Sequence, residues 1–309
     1  MKKKLDTIHI YGFNILIIFT LFILLVTDKK SIFIPSISAL TINLNQNNNN
    51  YQKLSNNIEK NKNYLETSTL KVDQSKLDDK IVGISAIIYD PTENKAVWSQ
   101  DSSKVSSLAS LTKVMSAYVY KKHCDKDIYF SNLTWKSDDA IKYMLIESSN
   151  EMADALSRTC MTTYDFVEIM NKEAQNLNLN LSYKNPSGLD SPGVIGGRGD
   201  ALSLAQFIYI ASNAFPSIFD ATTHNSKIIS AERLGKEINI NAINTNKNIG
   251  SIGGARMSKT GLTDYAGGNL AVMYDISLGR PIILLVLGST KDGRFQDIEL
   301  MRENINISY

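Results

Sequence analysis

The chain has 309 residues, a formal net charge of +2, 43% hydrophobic residues and two cysteines. A charge so close to neutral does not favour a nucleic-acid surface, and the sequence has neither a Gly-rich phosphate loop nor the cysteine spacing of a metal site. No cofactor, metal or nucleic-acid partner is therefore expected, and the length fits one large domain with appendages or two modest domains.

The N-terminus carries an apolar segment behind a basic cluster. Lysines occupy positions 2–4 and residues 8–27 are almost wholly apolar, which is about the 20 residues that cross a bilayer core. Residues 1–30 are thus predicted to be a cytoplasmic basic stub and a transmembrane signal-anchor. The alternative is a secretory signal cleaved near the small residues Ser36 and Ala39. Both interpretations place the rest of the chain outside the cytoplasm, as a single-pass membrane protein or a secreted one.

A polar segment follows the apolar one. Residues 31–80 become rich in Asn, Gln, Ser and Lys, with four consecutive asparagines at 47–50. Without apolar periodicity such a segment cannot bury a core, so it is predicted to be a flexible linker. Residues 81–309 are predicted to form one folded domain.

The folded part shows strand and helix patterns in a clear order. The predicted elements are strands 81–89 and 95–99, helices 111–122, 135–146 and 151–176, an irregular loop 185–199, helix 202–212, strands 256–261, 269–275 and 281–288, and helix 292–304. This order predicts an α/β sandwich in which both chain ends contribute to an antiparallel sheet with flanking helices.

A serine and a lysine at helical spacing are the first candidates for chemistry. Of three histidines, His9 lies in the apolar N-terminal run, and neither His123 nor His224 lies in a triad-like pattern, so a lysine base is favoured. Ser110 and Lys113 are three residues apart at the start of a predicted helix, where they share one face near free backbone N–H groups. A desolvated lysine can accept a serine proton.

Two further motifs follow along the chain. Ser148 and Asn150 lie at a junction between predicted helices, where the simpler explanation is a helix cap. Lys-Thr-Gly at 259–261 lies on a predicted strand, where the simpler explanation is an exposed strand end. Each motif alone is weak evidence. In this order, however, Ser-Xaa-Xaa-Lys, Ser-Xaa-Asn and Lys-Thr-Gly form the signature of the penicillin-recognising serine enzymes.

The residues around these motifs narrow the resemblance. Ala-Ser-Leu-Thr-Lys at 109–113, Ser-Ser-Asn at 148–150, Asn-Pro-Ser-Gly-Leu-Asp at 185–190 and Lys-Thr-Gly-Leu-Thr-Asp at 259–264 resemble segments of the low-molecular-mass D-alanyl-D-alanine carboxypeptidases. The resemblance implies the fold shared by β-lactamases and penicillin-binding transpeptidases. It also implies removal of the terminal D-alanine from peptidoglycan stem peptides, without a cofactor and with β-lactams as covalent inhibitors.

The resemblance further implies roles for single residues. Ser110 would be acylated, Lys113 would activate it, and Ser148 and Asn150 would transfer protons and hold the substrate amide. The implied substrate-binding residues are Lys259, Thr260, Gly261, Leu262 and Arg294. Thr260 would contact the terminal carboxylate, and the backbone N–H groups of Ser110 and Leu262 would form the oxyanion hole. For Arg294 the alternative is an exposed helix residue.

Some features leave alternatives open. Ser110 and Ser148 are closer in sequence than is usual in that family, which predicts a shortened helical subdomain. No Glu-Xaa-Xaa-Leu-Asn segment lies between Asn150 and Lys259, which argues against a class A β-lactamase. An endopeptidase with the same residues and a non-catalytic wall-binding protein remain alternatives. The two cysteines, Cys124 and Cys160, are either a disulfide or two buried thiols.

Overall fold

The computed structural model describes residues 69–308. The strands are β1 (Thr69–Val72), β2 (Ser85–Asp90), β3 (Lys95–Gln100), β4 (Ser106–Ser107), β5 (Ile128–Phe130), β6 (Leu133–Trp135), β7 (Leu181–Tyr183), β8 (Gly197–Gly199), β9 (Ser226–Arg233), β10 (Lys236–Ile243), β11 (Ala255–Thr263), β12 (Gly267–Ser277), β13 (Arg280–Ser289) and β14 (Ile305–Ser308). The helices are α1 (Lys113–His123), α2 (Ser137–Ile146), α3 (Asn150–Ser157), α4 (Thr163–Asn176), α5 (Ala201–Ala214), α6 (Pro216–Asp220) and α7 (Gly293–Glu303). The predicted signal-anchor lies outside the described residues.

Strands from both ends of the described chain form a central five-stranded sheet. Its order is β11-β12-β13-β2-β3, and every neighbouring pair is antiparallel. Because successive side chains of a strand point to opposite faces, the aliphatic β13 contributes to two cores. Ile283 and Leu285 lie in the core beneath α5, whereas Ile282 and Leu284 lie in the core beneath α7. The predicted antiparallel sandwich with flanking helices is confirmed.

Several predicted elements have different limits in the structure. The helical pattern over 151–176 is two helices, because the chain breaks after Ser157 and restarts at Thr162, whose side-chain oxygen accepts a hydrogen bond from Asp165 N. Trp135 belongs to β6, and helix α2 begins two residues later. Before α1, Ala109–Thr112 forms a separate 3₁₀ turn.

A second antiparallel sheet, in the order β10-β9-β6-β5, was not predicted. Strands β9 and β10 form a hairpin whose two turn residues, Leu234 and Gly235, both have positive φ. Such a turn matches the strand twist and normally favours Asn-Gly or Asp-Gly. Leucine at the first turn position hides this signal in the sequence.

The folded region also begins before residue 81. Strand β1 pairs with β14 near the C-terminus, from Thr69 opposite Ser308 to Val72 opposite Ile305. Leu77 is fully buried in the core beneath α7. Residues 69–80, which were predicted to be linker, therefore belong to the folded part.

Cys124 and Cys160 form a disulfide with a Cα–Cα distance of 5.9 Å. Cys124 follows the last residue of α1, and Cys160 lies in the connection between α3 and α4. Of the two alternatives left open by the sequence, the structure therefore has the disulfide. It links the ends of two helices that each carry a predicted site residue.

Within residues 69–308, no single helix is long and apolar enough to cross a membrane. Two consecutive helices joined by a sharp bend, Ala201–Ala214 and Pro216–Thr223, reach the necessary length and apolar composition only when they are counted together.

Candidate active site

Ser110 lies on a constrained turn ahead of α1. The preceding residue, Ala109, has a φ of +46°, a conformation that residues with a side chain rarely adopt. Leu108 N donates a hydrogen bond to Gly197 O at 2.9 Å, which anchors the turn to β8. Backbone strain of this kind is concentrated at functional sites. Here it accompanies a half-buried serine whose hydroxyl meets a lysine.

Lys113 is a buried residue whose amine makes three hydrogen bonds. Its side-chain amine donates hydrogen bonds to Ser110 Oγ at 2.8 Å, Asn150 Oδ1 at 2.7 Å and Ser187 O at 2.8 Å. The residue has no solvent exposure. Burial lowers the pKa of Lys113 to about 7, although the nearby carboxylate of Asp154 opposes the shift. A neutral amine beside the serine hydroxyl is thus accessible near neutral pH.

Ser148 and Lys259 form the second contact pair of the site. Ser148 lies between α2 and α3 with a φ of +58°. Lys259 Nζ donates to Ser148 Oγ at 2.7 Å and to Thr260 O at 3.0 Å. Burial lowers the pKa of Lys259 well below its usual value, and the positive charges of Lys113 and Arg294 lower it further.

The residue that caps the helix at this junction is Ser149, which lies between the two predicted site residues. Ser149 Oγ accepts a hydrogen bond from Met152 N at 3.1 Å and caps α3. Ser148 and Asn150, on either side of it, instead contact the two lysines. The capping role is therefore separate from the two side chains singled out in the sequence.

Strand β11 places the third motif at the outer edge of the central sheet. Thr260 Oγ1 lies 2.6 Å from Thr245 Oγ1. A Cβ atom at Gly261 would lie 3.0 Å from Leu108 O and 3.2 Å from the Ala109 side chain, so a larger residue would push β11 away from the serine turn. The Leu262 side chain is largely exposed. The strand thus brings its backbone close to Ser110.

Arg294 is buried behind this strand, with 6% of its surface exposed. Its Nη1 donates to Gly261 O at 2.6 Å. The alternative interpretation of Arg294 as an exposed helix residue is therefore wrong, because the guanidinium supports the backbone of the Lys-Thr-Gly motif. Burial lowers the pKa of Arg294. A direct contact with a substrate carboxylate stays a prediction.

The structure adds polar residues to which the sequence interpretation gave no role. Ser187 supplies the carbonyl that binds Lys113, and Thr245 supplies the hydroxyl beside Thr260. Asn269 is fully buried, and its side chain binds Ser107 O and Gly288 N. Asp190 binds residues of three separate segments. Ser187 and Asp190 lie in the Asn-Pro-Ser-Gly-Leu-Asp segment, so the resemblance pointed to them; no pattern pointed to Thr245.

The predicted site residues thus form two neighbouring contact groups, one around each lysine. Ser110, Lys113 and Asn150 meet at one amine, and Ser148 meets the amine of Lys259. Among residues 69–308, no group of three or more His, Cys, Asp or Glu side chains is arranged to hold a metal ion. The arrangement can transfer a proton from a serine hydroxyl to a desolvated amine, which is the first requirement of nucleophilic serine chemistry.

Solved structures with the same fold include penicillin-binding proteins and DD-peptidases. The cefotaxime-bound penicillin-binding protein D2 of Listeria monocytogenes is 24% identical, with 72% of this chain and 97% of that chain covered and a TM-score of 0.63. A cysteine-to-alanine mutant of the Streptomyces K15 DD-transpeptidase is 17% identical, with 74% and 98% covered and a TM-score of 0.66. A D-alanyl-D-alanine carboxypeptidase from Mycobacterium tuberculosis is 21% identical, with 72% and 89% covered and a TM-score of 0.61.

The sequence itself identifies the family. The profile of the D-alanyl-D-alanine carboxypeptidases matches residues 128–291, more than half of the chain. The protein therefore belongs to the D-alanyl-D-alanine carboxypeptidase family, and it is a serine-type peptidase that removes the terminal D-alanine from peptidoglycan stem peptides. Comparison of the sequence with curated proteins yields no match. The matched range contains Ser148, Asn150 and Lys259 but begins after Ser110 and Lys113, so the roles of those two residues rest on the geometry above.

Proposed function

We propose that Ser110 is the acylated nucleophile of this carboxypeptidase and that Lys113 is its general base. The observation that carries the proposal is the 2.8 Å contact between Lys113 Nζ and Ser110 Oγ. It is supported by the complete burial of an amine whose pKa falls to about 7. A base with a pKa near the working pH is well suited to proton transfer.

The first step forms the acyl-enzyme. Neutral Lys113 accepts the Ser110 proton as Ser110 Oγ attacks the carbonyl between the last two D-alanines. When the tetrahedral intermediate collapses, its C–N bond breaks, and the departing amine of D-alanine must gain a proton. In this proposal the proton that Lys113 took from Ser110 reaches the departing amine through Ser148, whose hydroxyl gains a proton from Lys113 as it gives one to the amine. Lys259 Nζ, 2.7 Å from Ser148 Oγ, orients that hydroxyl. Asn150 Oδ1 accepts a hydrogen bond from Lys113 and holds that amine in position, and its amide nitrogen is the proposed donor to the substrate.

The second step releases the shortened peptide. Lys113, neutral again after passing on its proton, takes a proton from water as that water attacks the acyl carbon. The Ser110 ester bond then breaks, and the serine oxygen recovers a proton from Lys113. Both steps develop negative charge on the carbonyl oxygen. The backbone N–H groups of Ser110 and Leu262 are the proposed donors to it, since Gly261 permits β11 to lie against the serine turn.

Substrate binding is assigned to the edge of β11. An extended peptide laid along this outer strand would place its terminal carboxylate near Thr260, with the buried amine of Lys259 as a hydrogen-bond donor and the guanidinium of Arg294 supplying positive potential. Arg294 acts from behind the strand, through Gly261 O. β-Lactams are proposed to acylate the same serine.

Mass spectrometry of a stem-peptide substrate tests the assignment. The protein is incubated with diacetyl-Lys-D-Ala-D-Ala, beside Ser110→Ala as the matched control. We expect loss of one alanine from the peptide with the original protein and none with the variant. Turnover by Ser110→Ala would refute the nucleophile. An unchanged peptide together with cleavage of cross-linked stem peptides would instead favour an endopeptidase.

We also propose that residues 1–30 anchor the protein in the cell membrane and that the catalytic domain is extracytoplasmic. The support is the apolar run of residues 8–27 behind a basic cluster. The Cys124–Cys160 disulfide agrees with an oxidising compartment. Protease treatment of intact spheroplasts should digest the catalytic domain, and membrane fractionation should separate an anchored chain from a cleaved, released one. A domain protected until lysis would refute the location.

A further inference from the structure

We propose that Asp190 is a positioning residue that holds strand β11 in register with the serine turn and thereby sets the spacing of the two oxyanion-hole N–H groups; the inference rests on the proposed roles of Ser110 and Leu262. Asp190 belongs to none of the three motifs that define the chemistry. Its carboxylate nevertheless receives hydrogen bonds from three different segments of the site.

The contacts of Asp190 involve both of its oxygens. Thr263 Oγ1 donates a hydrogen bond to Oδ2. Ser107 Oγ lies 3.0 Å from Oδ2 and 3.3 Å from Oδ1, and Gly196 N donates to Oδ1 at 2.9 Å. Hydrogen bonds to an ionised carboxylate are stronger than those between neutral groups. Because all three donors are neutral, the carboxylate fixes distances rather than balancing a nearby charge.

The positions of these donors matter because they flank the proposed oxyanion hole. Thr263 directly follows Leu262, and Ser107 lies three residues before Ser110. Thr263 is the last residue of β11 in the five-stranded sheet, whereas Ser107 belongs to β4 in a separate three-stranded sheet. Asp190 therefore bridges two sheets, one carrying Leu262 and the other leading directly into the turn of Ser110.

The position of strand β11 depends on contacts outside its own sheet. It is an outer strand, paired on one side with β12. Thr263 Oγ1 also accepts a hydrogen bond from Ala266 N at 3.0 Å, so the same hydroxyl fixes the turn into β12. Removing the Asp190 contact would free the end of β11 next to Leu262, and a displacement of a fraction of an ångström at an oxyanion hole weakens transition-state stabilisation.

The loop that carries Asp190 also contributes to the base. Ser187, three residues earlier, accepts a hydrogen bond from Lys113 through its carbonyl. The Asn-Pro-Ser-Gly-Leu-Asp segment thus contacts the base at one end and the oxyanion strand at the other. Asn269 on β12 and Arg294 on α7 hold the same region, so loss of Asp190 should loosen β11 without unfolding it.

The decisive variants are Thr263→Val, which removes the hydroxyl at nearly constant volume, Thr263→Ser, which keeps it, and Asp190→Ala. We expect Thr263→Val and Asp190→Ala to slow acylation by a fluorescent penicillin about tenfold or more, below the roughly 10²-fold to 10³-fold loss of a whole oxyanion donor. Thr263→Ser should stay within about twofold of the original rate. In peptide hydrolysis, kcat should fall while KM changes little, because the lost interaction acts in the transition state.

A matched control comes from a remote Thr–Asp pair. Thr162 Oγ1 contacts Asp165 Oδ2 at 2.7 Å and accepts from Asp165 N at 3.1 Å at the start of α4. Thr162→Val removes a similar pair and should lower the melting temperature without slowing acylation. The double variant Asp190→Ala with Thr263→Val should be slowed by less than the product of the two single effects, because the two residues share one contact while each also loses contacts of its own.

Acylation near the original rate in both Asp190→Ala and Thr263→Val would overturn the proposal, as would a higher KM with unchanged kcat or a Thr263→Ser variant as slow as Thr263→Val. An error in the Ser110 assignment would give a different result from an error in the Asp190 proposal. If Ser110 were not the nucleophile, Ser110→Ala would still be labelled by penicillin, whatever residue occupies position 190.

Discussion

The active site joins a helical region and a sheet region that hold their lysines in different ways. On the helical side, Lys113 begins α1 and touches the hydroxyl of Ser110 and the amide of Asn150. On the sheet side, Lys259 lies on β11 and touches the hydroxyl of Ser148. Both amines are buried, yet their surroundings differ. Carboxylates oppose the fall in the pKa of Lys113, whereas other cations deepen the fall in the pKa of Lys259.

This difference separates two tasks that buried amines can perform. The amine of Lys113, with a pKa of about 7, can gain and lose a proton during turnover. Lys259, whose charged form burial and neighbouring cations disfavour, contacts Ser148 and is proposed to orient it. In the proposed mechanism the helical region supplies proton transfer, and the sheet region supplies the strand along which the substrate binds. Substitutions in each region should separate the two tasks.

The largest effect is expected for Lys113→Met. Methionine has a similar length and no proton to exchange, so acylation by a fluorescent penicillin should fall by about 10² to 10⁴, the usual contribution of a general base. Stopped-flow labelling measures the rate. Lys122→Met on the same helix, which removes an ion pair with Glu173, should leave acylation unchanged. A Lys113→Met protein that labels within tenfold of the original would refute the base assignment.

A smaller effect is expected for Lys259→Met. Loss of the buried amine and of its contact with Ser148 should lower kcat for peptide hydrolysis by about 10² to 10³, as for other preorganised hydrogen-bond donors. Because Lys113 keeps its contacts, the pH dependence of the residual activity should retain its midpoint near neutrality. Arg256→Met on the same strand, which breaks a partly exposed pair with Asp275, is the matched control. A midpoint displaced as far as in a Lys113 variant would contradict the division of tasks.

The pH profile tests the helical region directly. Protonated Lys113 cannot accept a proton, so acylation should rise about tenfold per pH unit below a midpoint of about 7 and level off above it. The Asp154 carboxylate favours the protonated amine and raises its pKa. Asp154→Asn should therefore move the midpoint to lower pH. The distant Asp165→Asn should leave it unchanged, and a midpoint that rises in Asp154→Asn would contradict this electrostatic account.

The sequence predicted the sheet region better than the polar network around it. The aliphatic pattern of residues 281–288 specifies a strand buried on both faces, and β13 is such a strand. The three motifs specify which side chains matter because their types and order are restrictive. The hairpin of β9 and β10 was not predicted because Leu234 is an unusual residue for its turn. The contacts of Asp190 and Thr245 were not predicted because they depend on how two loops fold against β11, which no local sequence pattern specifies.

The smallest effect on activity, with a clear effect on stability, is expected for removal of the disulfide. Cys124 and Cys160 are 36 residues apart, and closing a loop of that length stabilises the folded state by about 3 to 4 kcal/mol in the chain-entropy estimate. Chemical denaturation of Cys124→Ala with Cys160→Ala should show a loss of that order.

Acylation of the same double variant, measured well below its melting temperature, should stay within about twofold. Lys113 is at the opposite end of α1 from Cys124, and its position is set by its contacts with Ser110, Asn150 and Ser187. If the folded double variant instead acylated tenfold more slowly, the relative placement of α1 and α3 would depend on the cross-link. The helical region would then be the less preorganised of the two, because contacts at the amine alone would be insufficient to hold the base.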